Sequence, residues 1–179
     1  MNNLYSTASI LDAAVMAKNW HAYITPGEPH KKLANLSGSW KEEITIWMHA
    51  ETPPQSSSAT SENKMILNGL YQEVTHKGTI NGMAYEGLCI TGFDNAKKKY
   101  VMTWIDNMGS GAMQQEGHWD EETNTINLEG ITTDAMTGNT LAVRQALIFN
   151  DAKNYTIEMY ETKNGKERKT MEIIFTRIS

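Results

Sequence analysis

From Leu36 onward, short runs of apolar and β-branched residues alternate with turn residues, and this pattern limits the possible folds more than any other feature. About ten such runs follow one another without a helical segment between them, as in an antiparallel meander. An open sheet of this kind would expose two edges that invite aggregation, whereas a closed sheet has no edge. The sequence therefore predicts an all-β fold, a closed antiparallel β-barrel, in preference to an open sandwich. The predicted strands lie near Gly38–Met48, Ser57–Leu67, Leu70–His76, Thr79–Phe93, Lys99–Met108, Ala112–Trp119, Thr125–Thr132, Asn139–Phe149, Tyr155–Thr162 and Glu167–Ile178.

The segment before the first strand has a helical pattern. Ser6 or Thr7 can cap a helix that runs to about Tyr23, and the prolines at positions 26 and 29 prevent its continuation. A short helical turn is expected near residues 30–35. We therefore expect one structural domain, in which a helical segment (1–35) packs on or plugs a barrel (36–179). A detached interaction arm is the alternative for the helix.

Composition excludes several classes of partner. The formal net charge of -5 argues against a nucleic-acid groove or an anionic membrane surface. The single cysteine, Cys89, has no partner for an internal disulfide, and its apolar neighbours favour a buried structural thiol over a nucleophile. The N-terminus lacks the pattern of a secretory signal, so a cytoplasmic location is expected.

Turn positions predict the pairing of several strands. The turn between the third and fourth strands is expected at Lys77-Gly78. A hairpin through residues 164–166 pairs three apolar residues of one strand with three of the next: Met159 with Met171, Ile157 with Ile173, and Tyr155 with Phe175. A turn through residues 150–152 sets the preceding strand against the same residues: Val143, Gln145 and Leu147 opposite Met159, Ile157 and Tyr155.

These registers place Arg144, Glu158 and Glu172 in one cross-strand row on the opposite face. If the row points outward, it is a solvated ladder that contributes little to stability. If it points inward, two carboxylates share one guanidinium, and one of them could serve as a general base. The apolar character of the other face favours the outward orientation, but both remain open.

Several local motifs recur together in one known family. They include residues 26–30 (Pro-Gly-Glu-Pro-His), residues 38–40 (Gly-Ser-Trp), residues 82–87 (Gly-Met-Ala-Tyr-Glu-Gly), residues 92–95 (Gly-Phe-Asp-Asn), residues 100–108 (Tyr-Val-Met-Thr-Trp-Ile-Asp-Asn-Met) and residues 171–173 (Met-Glu-Ile). In this order, from about Trp20 to Arg177, they resemble the bacterial family catalogued as domain of unknown function 1579. The resemblance implies a calycin-like barrel, related to lipocalins, and brings no activity with it. The chain departs from the usual family pattern at Leu70, Tyr85 and Ala135.

The same resemblance implies a structural contact at one end of the barrel. Lipocalin relatives begin the first strand with Gly-x-Trp and place an arginine of the last strand across that indole. Gly38, Trp40 and Arg177 match this arrangement. Some distant calycin-like barrels bind haem through a histidine, which makes His76 or His118 an alternative axial ligand.

Alternation within the strand near residues 99–108 places Tyr100, Met102, Trp104 and Asp106 on one face, where they could line a cavity. Asp106 would orient a ligand near the cavity entrance, or merely bind turn amides. The candidate ligand-binding residues are Glu86, Tyr100, Trp104, Asp106, Arg144, Glu158 and Glu172. The five histidines show no spacing typical of a zinc site, so no metal, cofactor or catalytic residue is predicted.

Three functions follow from these observations. The leading hypothesis is a barrel that binds a small, partly apolar molecule in its interior. The first alternative is an enzyme that uses Glu158 or Glu172 as general base beside Arg144. The second is a filled barrel that acts as an interaction or oligomerisation module, for which a homo-oligomer is one possible assembly.

Overall fold

Ten antiparallel strands close into a barrel in the computed structural model, which describes residues 13–48 and 51–179. Each strand pairs with its neighbours in the sequence, and β1 pairs with β10 to close the sheet. The predicted closed meander is therefore confirmed. The strands are β1 (Gly38–Ile46), β2 (Gln55–Ile66), β3 (Tyr71–Ile80), β4 (Met83–Asp94), β5 (Lys99–Asp106), β6 (Met113–Asp120), β7 (Thr125–Thr133), β8 (Thr140–Phe149), β9 (Asn154–Lys163) and β10 (Lys166–Arg177).

Two helices precede the barrel: α1 (Ala13–Ile24) and α2 (Glu28–Ala34). The predicted cap at Ser6 or Thr7 lies outside the described residues. Every side chain of α1 is exposed, and its C-terminal end is held by Asn95, whose Nδ2 lies 2.9–3.2 Å from three backbone carbonyl oxygens, those of Ala22, Tyr23 and Thr25. Among the helical residues that the structure describes, those with buried side chains belong to α2. A short 3-10 helix (Leu67–Gly69) links β2 and β3. None of the helices in the described ranges is long and apolar enough to cross a membrane.

α2 closes one end of the barrel. Leu33 of this helix is fully buried, and its carbonyl accepts a hydrogen bond of 2.5 Å from Nε2 of Gln72 inside the barrel. The hydroxyl of Tyr100 donates to the carbonyl of Pro29 at 3.4 Å. These contacts tie the helix to strands β3 and β5, and we refer to this end as the closed end.

Trp40 and Arg177 meet beside the closed end, as the resemblance implies. The guanidinium carbon of Arg177 lies 4.1 Å from the centre of the fully buried Trp40 ring. Its nitrogens donate to the carbonyls of Ser37 (2.6 Å), Asn35 (2.7 Å) and Ala152 (2.9 Å). Gly38 has a φ of +129°, and a Cβ there would lie 2.4 Å from the carbonyl oxygen of Ser179. Glycine is therefore required where the first strand passes the end of the last.

The predicted turn at Lys77-Gly78 is wrong, because β3 continues to Ile80 and turns at Asn81-Gly82. Both turn residues have positive φ, 52° and 77°, as a tight two-residue hairpin requires. Gly78 instead lies inside the sheet, where a Cβ would come within 2.6 Å of the Cβ of Ala59. The absence of a side chain at this position lets β2 approach closely, and the residue does not mark a turn.

The predicted register of the last hairpin is confirmed: Met171 pairs with Met159, Ile173 with Ile157, and Phe175 with Tyr155. The predicted register between β8 and β9 is wrong by two residues, since Gln145 pairs with Met159 and Leu147 with Ile157. The connection spans residues 150–153, where Asp151 Oδ1 accepts a hydrogen bond from the Lys153 amide, and is longer than predicted. A shift of two residues leaves each side chain on its predicted face.

Candidate ligand-binding cavity

The barrel encloses a cavity of about 360 Å³ in the half away from α2. This volume falls within the range of small-molecule sites, roughly 300–1,000 Å³. The interior is therefore hollow in this half. Its lining comprises Ile46, Met48, Asn63, Gln72, Val74, His76, Ile80, Asn81, Tyr85, Cys89, Thr91, Trp104, Asp106, Met108, Gln145, Leu147, Tyr155, Ile157, Met159, Met171 and Ile173.

The outer part of the cavity is apolar. Four methionines, at positions 48, 108, 159 and 171, line it together with Ile80 and Ile157. Met48, Met108 and Asn81 belong to the loops or turns at the end of the barrel opposite α2, so the cavity opens toward that end. Methionine side chains are flexible and polarisable, which suits an adaptable apolar wall.

The inner part is polar, and we call its side chains, Asn63, Gln72, His76 and Tyr155, the polar floor. Each of them is almost completely buried. Asn63 Nδ2 lies 3.2 Å from the Tyr155 hydroxyl. Burial raises the pKa of Tyr155 well above its ordinary value, so the phenol stays neutral and can donate or accept a hydrogen bond.

Glu42 lies behind the polar floor and supports His76. It is fully buried on β1, and its Oε1 lies 2.7 Å from Nδ1 of His76. A carboxylate at Nδ1 orients the imidazole and leaves Nε2 as the second hydrogen-bonding group of the ring. The ring also packs edge-on against Trp104, with 5.0 Å between the ring centres.

Two buried acceptors at or behind the floor have no hydrogen-bond partner within the part of the chain that the structure describes: Oδ1 of Asn63, which lines the cavity, and Oε2 of Glu42, whose other oxygen contacts His76. Both amide atoms of Gln115 are also unpartnered, but Gln115 does not line the cavity. Buried polar atoms in folded proteins are normally satisfied by protein, ordered water or a ligand. The inner cavity is therefore chemically prepared to receive polar groups.

Trp104 and Asp106 both line the cavity, as the alternation of β5 predicts. The Trp104 indole N–H donates to Asp106 Oδ2 at 2.7 Å, and Asp106 Oδ1 accepts the backbone amide of Met108 at 2.8 Å. Asp106 thus binds a turn amide and also fixes the indole that forms one wall. Burial, followed by the negative charges of Asp106 and Glu42, raises the pKa of Tyr85, so its hydroxyl remains protonated.

Two other candidates lie away from the cavity. Tyr100 is buried near the closed end, where it packs against Phe93 and binds α2; burial raises its pKa to about 12. Glu86 is exposed on the outer face, with its carboxylate 3.7 Å from Nζ of Lys77. Neither contributes to the cavity wall.

The structure places Arg144, Glu158 and Glu172 on the outer face, since their inward neighbours are the residues that line the cavity. Two nitrogens of Arg144 bind the Glu167 carboxylate at 2.8 Å each, and its guanidinium stacks on Tyr160. Glu158 pairs in register with Glu172, as predicted, and both carboxylates bind Lys169. The expected row therefore contains Glu158 and Glu172, but Arg144 lies opposite Tyr160 because of the shift between β8 and β9.

Sequence reasoning did not assign Glu42 or Asn63 to the cavity region. A signal for Glu42 was present, because alternation along β1 places it on the same face as the buried residues Trp40 and Ile44. No cluster of three or more potential metal ligands occurs within residues 13–48 and 51–179. His118 lies on the exposed face of β6, whereas His76 lines the cavity.

The barrel is similar to the crystal structure of Rv2717c from M. tuberculosis. The match has a TM-score of 0.61 and covers 87% of this chain and 100% of that chain, at 12% sequence identity. At this identity the likeness shows a shared fold alone. No curated protein matches the sequence at a significant level. The model of the family described as "protein of unknown function (DUF1579)" matches residues 25–177, and the chain therefore belongs to the DUF1579 family.

Proposed function

We propose that this protein binds a small, partly apolar molecule inside its barrel, with the polar part of the ligand at the floor and its apolar body among the methionines. The observation that carries the proposal is a cavity of about 360 Å³ with a mostly apolar wall and a floor of buried polar side chains. One acceptor of that floor, Oδ1 of Asn63, has no hydrogen-bond partner within the described residues. We further propose that the barrel is calycin-like. The sequential closed order of the strands and the contact between Arg177 and Trp40 support that assignment.

The arrangement favours binding over the enzymatic alternative. Glu158 and Glu172 are outward-facing and share the cation of Lys169, so they do not converge on the cavity with Arg144. The cavity has the composition typical of ligand sites, with mostly apolar walls and a few polar groups at one end.

Two measurements test the proposal. Native mass spectrometry of the protein purified from its own host is expected to show a co-purifying molecule of small mass. Titration with the neutral fluorescent probe N-phenyl-1-naphthylamine is expected to show saturable binding and partial quenching of the tryptophan fluorescence, to which Trp104 in the cavity wall contributes.

A pair of variants on one strand makes the titration specific for the cavity. Met159→Trp fills the cavity from its wall and is expected to abolish probe binding, whereas Thr156→Trp on the outer face of β9 should leave it unchanged. Equal binding by both variants, or no saturable binding by the wild-type protein, would overturn the proposal.

A further inference from the structure

The charged groups around the cavity are unevenly distributed. Its lining contains the carboxylate of Asp106 and the imidazole of His76, and no lysine or arginine belongs to the lining that the structure describes. Glu42, behind His76, adds a second carboxylate. Even if His76 is protonated, the formal charge of these three groups is negative, so the cavity carries no net positive charge to receive an anion.

One basic group at the open end, Arg168, is engaged by the backbone. Arg168 donates to the carbonyls of Trp47 (2.9 Å) and Met48 (3.2 Å), and its cross-strand neighbour in the sheet is Glu161. Its guanidinium therefore holds the segment that follows β1 through these two carbonyls.

The unpartnered atoms at the floor are acceptors. Oδ1 of Asn63, which lines the cavity, and Oε2 of the Glu42 carboxylate, behind His76, can only accept hydrogen bonds. A buried acceptor placed against an acceptor of the ligand forms no hydrogen bond and still loses its hydration. A buried acceptor placed against a donor of the ligand forms a hydrogen bond, and that bond is strongest when the acceptor is ionised.

We infer that the ligand presents a hydrogen-bond-donating head group, an alcohol or amine, to the polar floor, and that the cavity rejects carboxylate and phosphate head groups. This inference rests on the proposed function and specifies its ligand class. The apolar body of such a ligand occupies the methionine-lined outer part.

The test compares three probes with the same ten-carbon chain: decan-1-ol, decylamine and decanoate, each used below its micellar concentration at pH 7.5. Displacement of N-phenyl-1-naphthylamine measures their affinities. We expect the alcohol and the amine to bind at least tenfold more tightly than decanoate. Decanoate binding as tightly as the other two, or displacement by none of them, would overturn the inference. Failure of the naphthylamine itself to bind would instead overturn the proposed function.

Variants identify the groups responsible. Asn63→Leu removes a floor acceptor, and Glu42→Gln replaces the buried carboxyl group by an amide; each is expected to reduce the preference for amine over carboxylate at least threefold. Glu43→Gln, the exposed neighbour of Glu42 on the same strand, should leave the preference unchanged. If Glu42→Gln does not fold, the head-group preference of Asn63→Leu alone tests the inference. A folded Asn63→Leu variant with wild-type preference would contradict the assignment of Asn63.

Discussion

Gly87 leaves the space that the indole of Trp104 occupies, since a Cβ at position 87 would come within 2.5 Å of the Trp104 ring. The ring is fixed on two further sides, by its hydrogen bond to Asp106 and by its edge contact with His76. One wall of the cavity thus depends on a glycine in the neighbouring strand.

We predict that Gly87→Ala displaces the indole and lowers the free energy of unfolding by about 1–3 kcal/mol, because added volume in a packed interior forces side chains to move. Urea unfolding measures the loss, and a change in the tryptophan emission spectrum of the folded protein reports the displacement. Gly111→Ala is the matched control, since a Cβ there has no neighbour within 4 Å. An unaltered stability of Gly87→Ala would show that the ring is not confined.

The strands and their faces could be predicted from the sequence because alternation and turn residues are local signals. Local signals failed where a residue acts over a long range. Gly78 resembles a turn residue, yet a glycine is needed there because Ala59 of the neighbouring strand β2 lies against it.

The candidate site was only partly predictable for the same reason. Trp104 and Asp106 follow from the alternation of β5. The contact between Glu42 and His76 joins residues 34 positions apart, and it depends on the register of three strands. A register error of two residues, as between β8 and β9, keeps a side chain on its face but changes its neighbours. The predicted row therefore includes Arg144, which in the structure lies opposite Tyr160.

The Glu42–His76 pair yields a prediction about stability. His76→Leu leaves a buried carboxylate without its partner and should cost about 3–5 kcal/mol. Glu42→Leu leaves a buried imidazole N–H without an acceptor and should cost less, about 1–3 kcal/mol. The double variant should be more stable than the sum of both losses implies, because no unpaired group remains.

Urea unfolding of the four proteins measures this coupling. Strict additivity would mean that the two side chains do not act as a pair.

Lys169 yields a prediction about pH. Partial burial alone would raise the pKa of Glu158, but hydrogen bonds from Lys169 and Tyr160 outweigh it, so the pKa lies below its ordinary value. A lowered folded-state pKa contributes stability above the unfolded-state value of about 4.3, and that contribution is lost as the pH falls through the folded-state value. We therefore expect Lys169→Met to cost up to about 1 kcal/mol at pH 7.

The cost should shrink toward zero as the pH falls below about 4. Unfolding curves of wild type and Lys169→Met from pH 3 to 8 measure the difference. Lys41→Met is the control, since both members of the pair of Lys41 and Glu43 are more than half exposed and its loss should cost less. A difference that persists at pH 3 would show that packing, not charge, causes the loss.

Arg177 yields a prediction about the closed end. Its guanidinium donates to three carbonyls and covers Trp40, so Arg177→Met should cost about 3 kcal/mol, the value of one or two charge-assisted hydrogen bonds. Arg177→Lys should recover only a small part, because an ammonium group cannot reach three carbonyls in one plane while stacking on the ring. Thermal and urea unfolding measure both variants, and full recovery by lysine would contradict the role of guanidinium geometry.

Cys89 gives a chemical report on the cavity it lines. Burial raises the pKa of its thiol to about 11, although a contact with Thr91 acts in the opposite direction. Because the thiolate is the reactive form, Cys89 should react with N-ethylmaleimide at pH 8 about a hundredfold more slowly than an exposed thiol of ordinary pKa near 8.5. The control is the double variant Cys89→Ala/Ile90→Cys, which moves the thiol to the outer face of the same strand and should react at an ordinary rate.

Protection by the probe tests whether Cys89 lines the occupied cavity. Saturating N-phenyl-1-naphthylamine should slow the reaction of Cys89 and leave that of the control thiol unchanged. Equal slowing of both thiols would place the probe outside the barrel.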